Sequence, residues 1–385
     1  MKVALFSNSY LPYLSGITLS IKTLKDELRH LGHTAYVVGP WYPGLTEDAP
    51  KVLRLPSLPA TYPGYRFVVP YSPAVFSTLK KEQIELIHAH QPFGVGLAAL
   101  FLARRMKIPF VYSFHTLFSR YVHHAPVIPQ RLAKWAVAVY LSFFCRQADT
   151  VIVPSEMVRR LLVSRKVKKP IEVIPTGIKL RKIKQRKEIG NQRLNIRKKH
   201  QIPSDAKILL YSGRLSEEKN VPFLLNAFPL IRGQNKNLYF ILVGGGPKGI
   251  EYRTIAKDDH VIFTGQIPHA EVLDYYLASD LFIYASITET QGLVLTEAKA
   301  CGLPVVALFG GGISDVIESG IDGYIVRRDQ KAFVEHVLRL LKDDNLRRHM
   351  SIKAEEDAHD RFSSVAVAKR VESVYNSLIT KRGES

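Results

Sequence analysis

Short apolar runs alternate along the chain with stretches of helical periodicity, and that alternation predicts parallel sheets covered by helices. In the first half, strands are read at 2–6, 35–38, 84–88, 109–114 and 150–153. In the second half they are read at 207–211, 238–243, 261–264, 281–284, 304–307 and 324–326. The helix after the first strand is well marked. Ile17, Ile21, Leu24, Leu28 and Leu31 recur at spacings of four and three, and Gly32 stands where a C-terminal cap belongs. A last helical segment, near 365–380, carries Val367, Val371, Val374 and Leu378. Between the halves, in IPTGIKLRKIKQRKEIGNQ, Pro175 and Gly177 break the pattern and a polar, basic stretch follows, so the domain boundary is read there. The expected fold class is α/β, two doubly wound Rossmann-like domains facing across a cleft, with ligands at the carboxyl ends of the strands.

Length and composition agree with that picture. A chain of 385 residues suits two cores rather than one, and 46% hydrophobic with 23% charged residues is the balance of a globular protein. The opening MKVALFSNSY reads as a strand and not as a signal peptide. The longest apolar candidate, 135–145, is about half of the roughly 20 residues a membrane span needs. Two cysteines, Cys145 and Cys301, have no paired spacing and indicate neither a disulfide framework nor a zinc site. Charge changes the picture more. The formal net charge is +20, and sixteen Lys or Arg against Glu172 and Glu188 give residues 159–199 a net +14. Such a block implies an anionic partner, whether phospholipid, nucleic acid or phosphorylated substrate, or else a solvated helical face.

Five constellations can carry chemistry. In YSGRLSEEKN a strand ends at Tyr211, Gly213 allows a tight turn, and Arg214 and Lys219 could clamp a diphosphate, or simply pair with Glu217 or Glu218 on the surface. In TETQGLVLTEA, Glu289 and Glu297 are separated by seven residues, with Gly292 at the start of a helix-forming run from Leu293. Close backbone approach at Gly292 and the exposed amides behind it suit a phosphate, while Glu297 could accept ribose hydroxyls. GGGP at 244–247, which contains Gly245, follows an apolar strand and is a weak nucleotide signal alone. Ser15-Gly16 opens the first helix and could meet an anion. FHT at 114–116 puts His115 at a strand end, where a lone histidine is more often structural.

Together these features resemble the family 4 glycosyltransferases of GT-B fold. The resemblance also rests on VPS at 153–155, IPTG at 174–177, SGRLSEEKN at 212–220, VGGGP at 243–247, FTGQIP at 263–268 and AKACGLPVVA at 298–307. TETQGL and FHTLFSRYVHH are similar to bacterial 1,2-diacylglycerol 3-glucosyltransferases. The resemblance implies an N-terminal acceptor domain at 1–175 and a nucleotide-sugar domain at 176–362. A terminal helix, 363–385, could return to the first domain. It implies that Arg214 and Lys219 hold the donor diphosphate, Glu297 the ribose and Glu289 the sugar hydroxyls. His115 would contact the sugar near the reacting carbon. Gly16, Gly213, Gly245, Gln291, Gly292 and Leu293 would approach the nucleotide and its phosphates. Two departures stand out, Ser15 where the family often has a second glycine and Lys179 where it usually has Asp.

The sequence contains no Asp-x-Asp pair, so cationic side chains and helix amides are expected to stabilise the leaving group without a metal or other cofactor. The expected reaction is retaining hexosyl transfer from a nucleotide sugar, UDP-glucose, to a membrane lipid such as diacylglycerol. The expected place is the inner face of the cell membrane, held peripherally by an anionic surface. The stretch 61–81 interleaves Tyr62, Tyr65, Phe67, Tyr71 and Phe76 with Arg66, Lys80 and Lys81, as an interfacial segment or a packed loop. The alternatives are a soluble glycan or phosphosugar acceptor, a sugar-nucleotide epimerase, and a nucleic-acid-binding protein. The last is disfavoured because the basic block carries no nucleic-acid module or stacking platform.

Overall fold

A computed structural model describes residues 1–13, 15–45, 48–59, 66–115, 129–286 and 288–383. Tyr62, Tyr65 and Thr116 of the segments above lie outside the described residues, as do His123 and His124. The chain divides into two compact units, Met1–Gly177 together with the segment from Ser364 onward, and Ile178–Ser363.

The first unit is built on a seven-stranded sheet. Its strands are β1 (Lys2–Phe6), β2 (Thr34–Pro40), β3 (Val52–Leu55), β6 (Leu86–Ala89), β7 (Phe110–Ser113), β8 (Thr150–Val153) and β9 (Ile171–Val173). A short antiparallel pair, β4 (Ser57–Pro59) and β5 (Arg66–Val68), stands apart from it. The order in the sheet is β3-β2-β1-β6-β7-β8-β9, with every neighbour parallel. Central β1 is apolar at nearly every position because it is covered on both faces: Val3, Ala4, Leu5 and Phe6 are fully buried. The first helix, Gly16–His30, packs Ile21 and Leu28 inward, and Gly32 follows it at φ +84°, where a left-handed residue closes a helix end.

The helix Ser364–Gly383 completes this unit rather than the second one. Its buried Val367, Val371 and Tyr375 join Val3, Leu5, Ile21 and Leu28 in one apolar cluster.

The second unit repeats the architecture with β10 (Lys207–Ser212), β11 (Leu238–Val243), β12 (Val261–Gly265), β13 (Leu281–Tyr284), β14 (Val305–Leu308) and β15 (Gly323–Val326). The order is β12-β11-β10-β13-β14-β15, again all parallel. Both sheets therefore reverse their winding at the first strand, between β1 and β6 and between β10 and β13. Such a reversal leaves a crevice at the carboxyl ends of the two strands, because the loops leave in opposite directions.

The basic stretch after Gly177 is helical, as in its reading as a solvated helical face. Leu180–Ile189 and Gln192–Lys199 are helices, anchored by buried Ile183 and Ile196. Part of its charge is used internally. Arg186 pairs with Asp274 at 3.4 Å, Lys187 with Glu355 at 2.6 Å and Arg193 with Asp280 at 3.0 Å. Arg197, buried, donates to the carbonyls of Pro203 and Ala206. In the first unit Arg159 and Arg160 share Glu156.

Candidate active site

In the second unit the chain leaves β10 through Gly213 and Arg214 and leaves β13 through the 285–292 loop, which are the two sides of the winding reversal. The loop 244–247 after β11 joins them. Gly213 and Gly244 touch back to back, so closely that a Cβ on Gly244 would lie 2.0 Å from the Gly213 carbonyl oxygen. Only glycine fits there, at φ +136°. The result is an open depression of about 580 Å³, lined by Ser212, Gly213, Arg214, Gly244, Gly245 and Gln266 among others. Arg214 is exposed at its rim.

Beside it lies a half-buried charge cluster. Lys219, at the end of a single tight turn (Glu217–Lys219), points its Nζ to Glu289 Oε1 at 2.5 Å. Tyr284, the last residue of β13, donates its hydroxyl to the same oxygen at 2.6 Å. Burial alone would raise the Glu289 carboxyl, but the Lys219 ammonium and the hydroxyls of Tyr284 and Ser286 outweigh it and hold the group below its ordinary value. Lys219 therefore pairs with neither Glu217 nor Glu218, and Glu218 accepts from the Ser216 hydroxyl at 2.6 Å instead. The Glu289 backbone is fixed too, since its carbonyl accepts from Gly312 N at 2.8 Å.

Gly292 sits at φ +83° as the N-cap of the helix Leu293–Ala300, the left-handed turn that glycine allows. Gln291 just before it is buried and Leu293 is half-buried. One turn on, Glu297 takes the His269 Nε2 at 2.8 Å on one oxygen and the Tyr276 hydroxyl at 3.3 Å on the other. That hydrogen bond raises His269 against the opposing effect of burial.

Two predicted residues, Gly16 and His115, belong to the first unit. Gly16 is exposed at the start of its helix, and the Ser15 hydroxyl caps that helix by accepting from Thr18 N at 3.1 Å. His115 stands two residues past β7, its Nε2 2.9 Å from His90 Nδ1, one residue past β6. His90 lies 4.2 Å from His88 between ring centroids, the two rings tilted by 31°. His88 in turn lies 2.6 Å from the Tyr375 hydroxyl and 2.8 Å from the Ser113 hydroxyl. Burial lowers all three imidazoles, His88 to about 3 and His115 to about 4, so they are neutral at pH 7.

The structure thus brings Arg214, Gly213 and Gly245 together at one depression and couples Lys219 to Glu289. It gives Glu297 separate partners. Tyr284, Tyr276, His269, His88 and His90 were not singled out from sequence. His88 and His90 carried a usable signal, HAH at a strand end, matching FHT on the strand beside it.

Two all-parallel, doubly wound units with charged and glycine-rich loops at the winding reversal have the architecture of the GT-B glycosyltransferases. The description Glycosyltransferase Family 4 matches residues 14–182, and Glycosyl transferases group 1 matches residues 192–357. The chain belongs to the family 4, group 1 glycosyltransferases. It is 36% identical over 319 residues to the alpha-monoglucosyldiacylglycerol synthase of Streptococcus pneumoniae, covering 80% of this chain and 71% of that one. The alpha-monoglucosyldiacylglycerol synthase of Acholeplasma laidlawii is 28% identical, with 100% of this chain and 99% of that one covered. Among solved structures, Anabaena HepE in complex with UDP aligns at a TM-score of 0.77 and 18% identity, over 98% of this chain and 100% of that one. Sucrose-phosphate synthase from Thermosynechococcus elongatus aligns at 0.73 and 22%, over 99% of each. These two likenesses concern the fold.

Proposed function

We propose that this glycosyltransferase moves glucose from UDP-glucose to diacylglycerol, with retention of the α configuration and without a metal ion, at the cytoplasmic face of a membrane. The observation that carries the catalytic part is the Lys219–Glu289–Tyr284 cluster beside the glycine-lined depression at the winding reversal. A diphosphate seated in the depression would be neutralised by Arg214 and Lys219, and Glu289 would turn its carboxylate to the hydroxyls of the transferred sugar. The C1–oxygen bond to the diphosphate breaks with its electron pair remaining on the phosphate oxygen. The acceptor oxygen bonds to C1 on the same face, and its proton passes to that phosphate oxygen. Preorganised cations do the work a bound metal does elsewhere, because they face the charge that develops on the leaving group.

The acceptor and the sugar come from the relatives. Two synthases aligned over most of the chain are named for an alpha-glucosyl diacylglycerol product. A glucose nucleotide with an α bond gives that product only by retention. The donor's base follows the UDP in the aligned HepE complex. Among the described residues no helix is long and apolar enough to cross a membrane, so the proposed association is peripheral.

Incubation with UDP-glucose and diacylglycerol in mixed micelles, with excess EDTA, tests the reading. The expected product is an α-glucosyl diacylglycerol by NMR at undiminished rate. A β anomer, activity restored only by Mg²⁺ or Mn²⁺, or transfer confined to soluble sugars would each overturn the corresponding part.

A further inference from the structure

The helix Gln130–Gln147 is apolar on two opposite sides. Ala133, Leu141, Phe144 and Cys145 are buried in the first unit. On the outer side Leu132, Trp135, Val139 and Phe143 are 54%, 63%, 48% and 51% exposed. Their spacings of three, four and four put them on one stripe. A surface helix ordinarily turns polar residues outward, and a continuous apolar stripe marks a surface that is covered in use.

The neighbouring helix Val95–Met106 carries the same signature. It exposes Leu97 at 42% and Phe101 at 52%. The two helices are joined where Phe93 stacks on Tyr140 at 5.0 Å and the Tyr140 hydroxyl donates to the Pro92 carbonyl at 2.7 Å. Arg104 also reaches the Gln147 carbonyl at 3.2 Å.

Charge identifies what covers the stripe. Neither helix contains an Asp or Glu, while Arg104, Arg105, Arg131, Lys134 and Arg146 are all exposed. Arg131 and Lys134 form no ion pair among the described residues. An apolar stripe with a tryptophan, edged by cations and free of acids, is complementary to anionic headgroups lying over acyl chains. With two cations in its first five residues the helix does not cross a bilayer; it lies in the interface.

We infer that the outer stripe of Gln130–Gln147, with Leu97 and Phe101 beside it, is the surface on which this protein docks to an anionic lipid bilayer. The inference rests on the lipid-acceptor reading above. It differs from the sequence expectation in placing the docking surface on this helix instead of on the basic block 159–199 together with the stretch 61–81; several of the block's cations are paired internally.

The chain has two tryptophans, Trp41 and Trp135, so a Trp41→Phe protein reports from the stripe alone. Titration with phosphatidylglycerol vesicles should shift Trp135 emission to the blue, and lipids brominated along the acyl chain should quench it. Phosphatidylcholine vesicles should do neither at the same concentration. Val139→Ser with Phe143→Ser should weaken partition into phosphatidylglycerol vesicles at least tenfold, with an unchanged thermal shift by UDP showing that the fold is intact. Vesicle binding without quenching of Trp135, or with partition unaltered by the double substitution, would overturn the surface. So would a substitution that changes only a monomer–dimer equilibrium, which would assign the stripe to a second copy of this chain. Quenching together with no transfer to diacylglycerol in micelles would instead sustain the surface and defeat the acceptor reading.

Discussion

Glu289, half-buried, keeps its charge because a cation and hydroxyls surround it, and Lys219 is its counterion. Removing one member of such a pair strands the other, whereas removing both does not. Lys219→Ala should lower turnover roughly a hundredfold and also destabilise the second unit by about 3 kcal/mol. Adding Glu289→Gln should recover about 2 kcal/mol of that loss without recovering turnover. Urea denaturation of the two single variants and the double variant checks the first part, and kcat checks the second; additive stability losses would show that the pair is not coupled. Both residues were visible in the sequence, but their pairing was not. Seventy positions separate them, and the nearer Glu217 and Glu218 are equally good partners until the order of β10 and β13 is known. Tyr284 was hidden for the same reason: its hydroxyl acquires meaning only from the loop that follows its strand.

At the scale of elements, apolar runs were legible and the two edges of the first sheet were not. β1, β8, β11 and β13 are continuous apolar strands in the middle of sheets or near it, and their pattern is unambiguous. β3 and β9, four and three residues long, each carry a charged residue, as sheet edges often do, and give no periodicity to read. The two basic helices after Gly177 were legible only as one alternative, a solvated helical face, since only one or two apolar residues hold each of them down. The strand ends that carry His88, His90 and His115 predict a particular pH response. Burial lowers His88 to about 3, so the unfolded chain binds a proton there that the folded one does not. Stability must then rise with pH between roughly 3 and 6.5 and level off above, by on the order of 1 kcal/mol per pH unit for each such histidine. His88→Gln should flatten the acid limb of a midpoint-against-pH curve, and an unchanged slope would show that His88 is protonated in the folded state.

The whole molecule makes its first unit from both ends of the described sequence. A chain ending after Ser363 keeps every strand of both sheets but loses Val367, Val371 and Tyr375 from the cluster under β1. Burying three such side chains contributes roughly 5 kcal/mol or more, a large part of the stability of a unit of this size. Calorimetry should show the second transition of that truncated protein unchanged and the first lowered or lost. An intact first transition would mean that the terminal helix is dispensable. Fold class and family were legible at this scale because many weak motifs occur in one order. The charge was only partly legible at this scale, because a net +14 in 159–199 says nothing of the acids that reach it from Asp274, Asp280 and Glu355.

The same return of the terminal helix bears on how the protein is made. As the chain emerges from the ribosome, residues 1–177 appear before Ser364–Gly383, so one of their two apolar clusters stays open along Val3, Leu5 and Ile21 until that helix has been synthesised. The later half, Ile178–Ser363, contains all of its own sheet and can close before the earlier half does. His88 likewise waits for the Tyr375 hydroxyl, a partner 287 positions downstream. The second unit can therefore be complete ahead of the first although it is translated after it, and a ribosome stalled short of Ser364–Gly383 would hold a nascent protein whose His88 still lacks the Tyr375 hydroxyl.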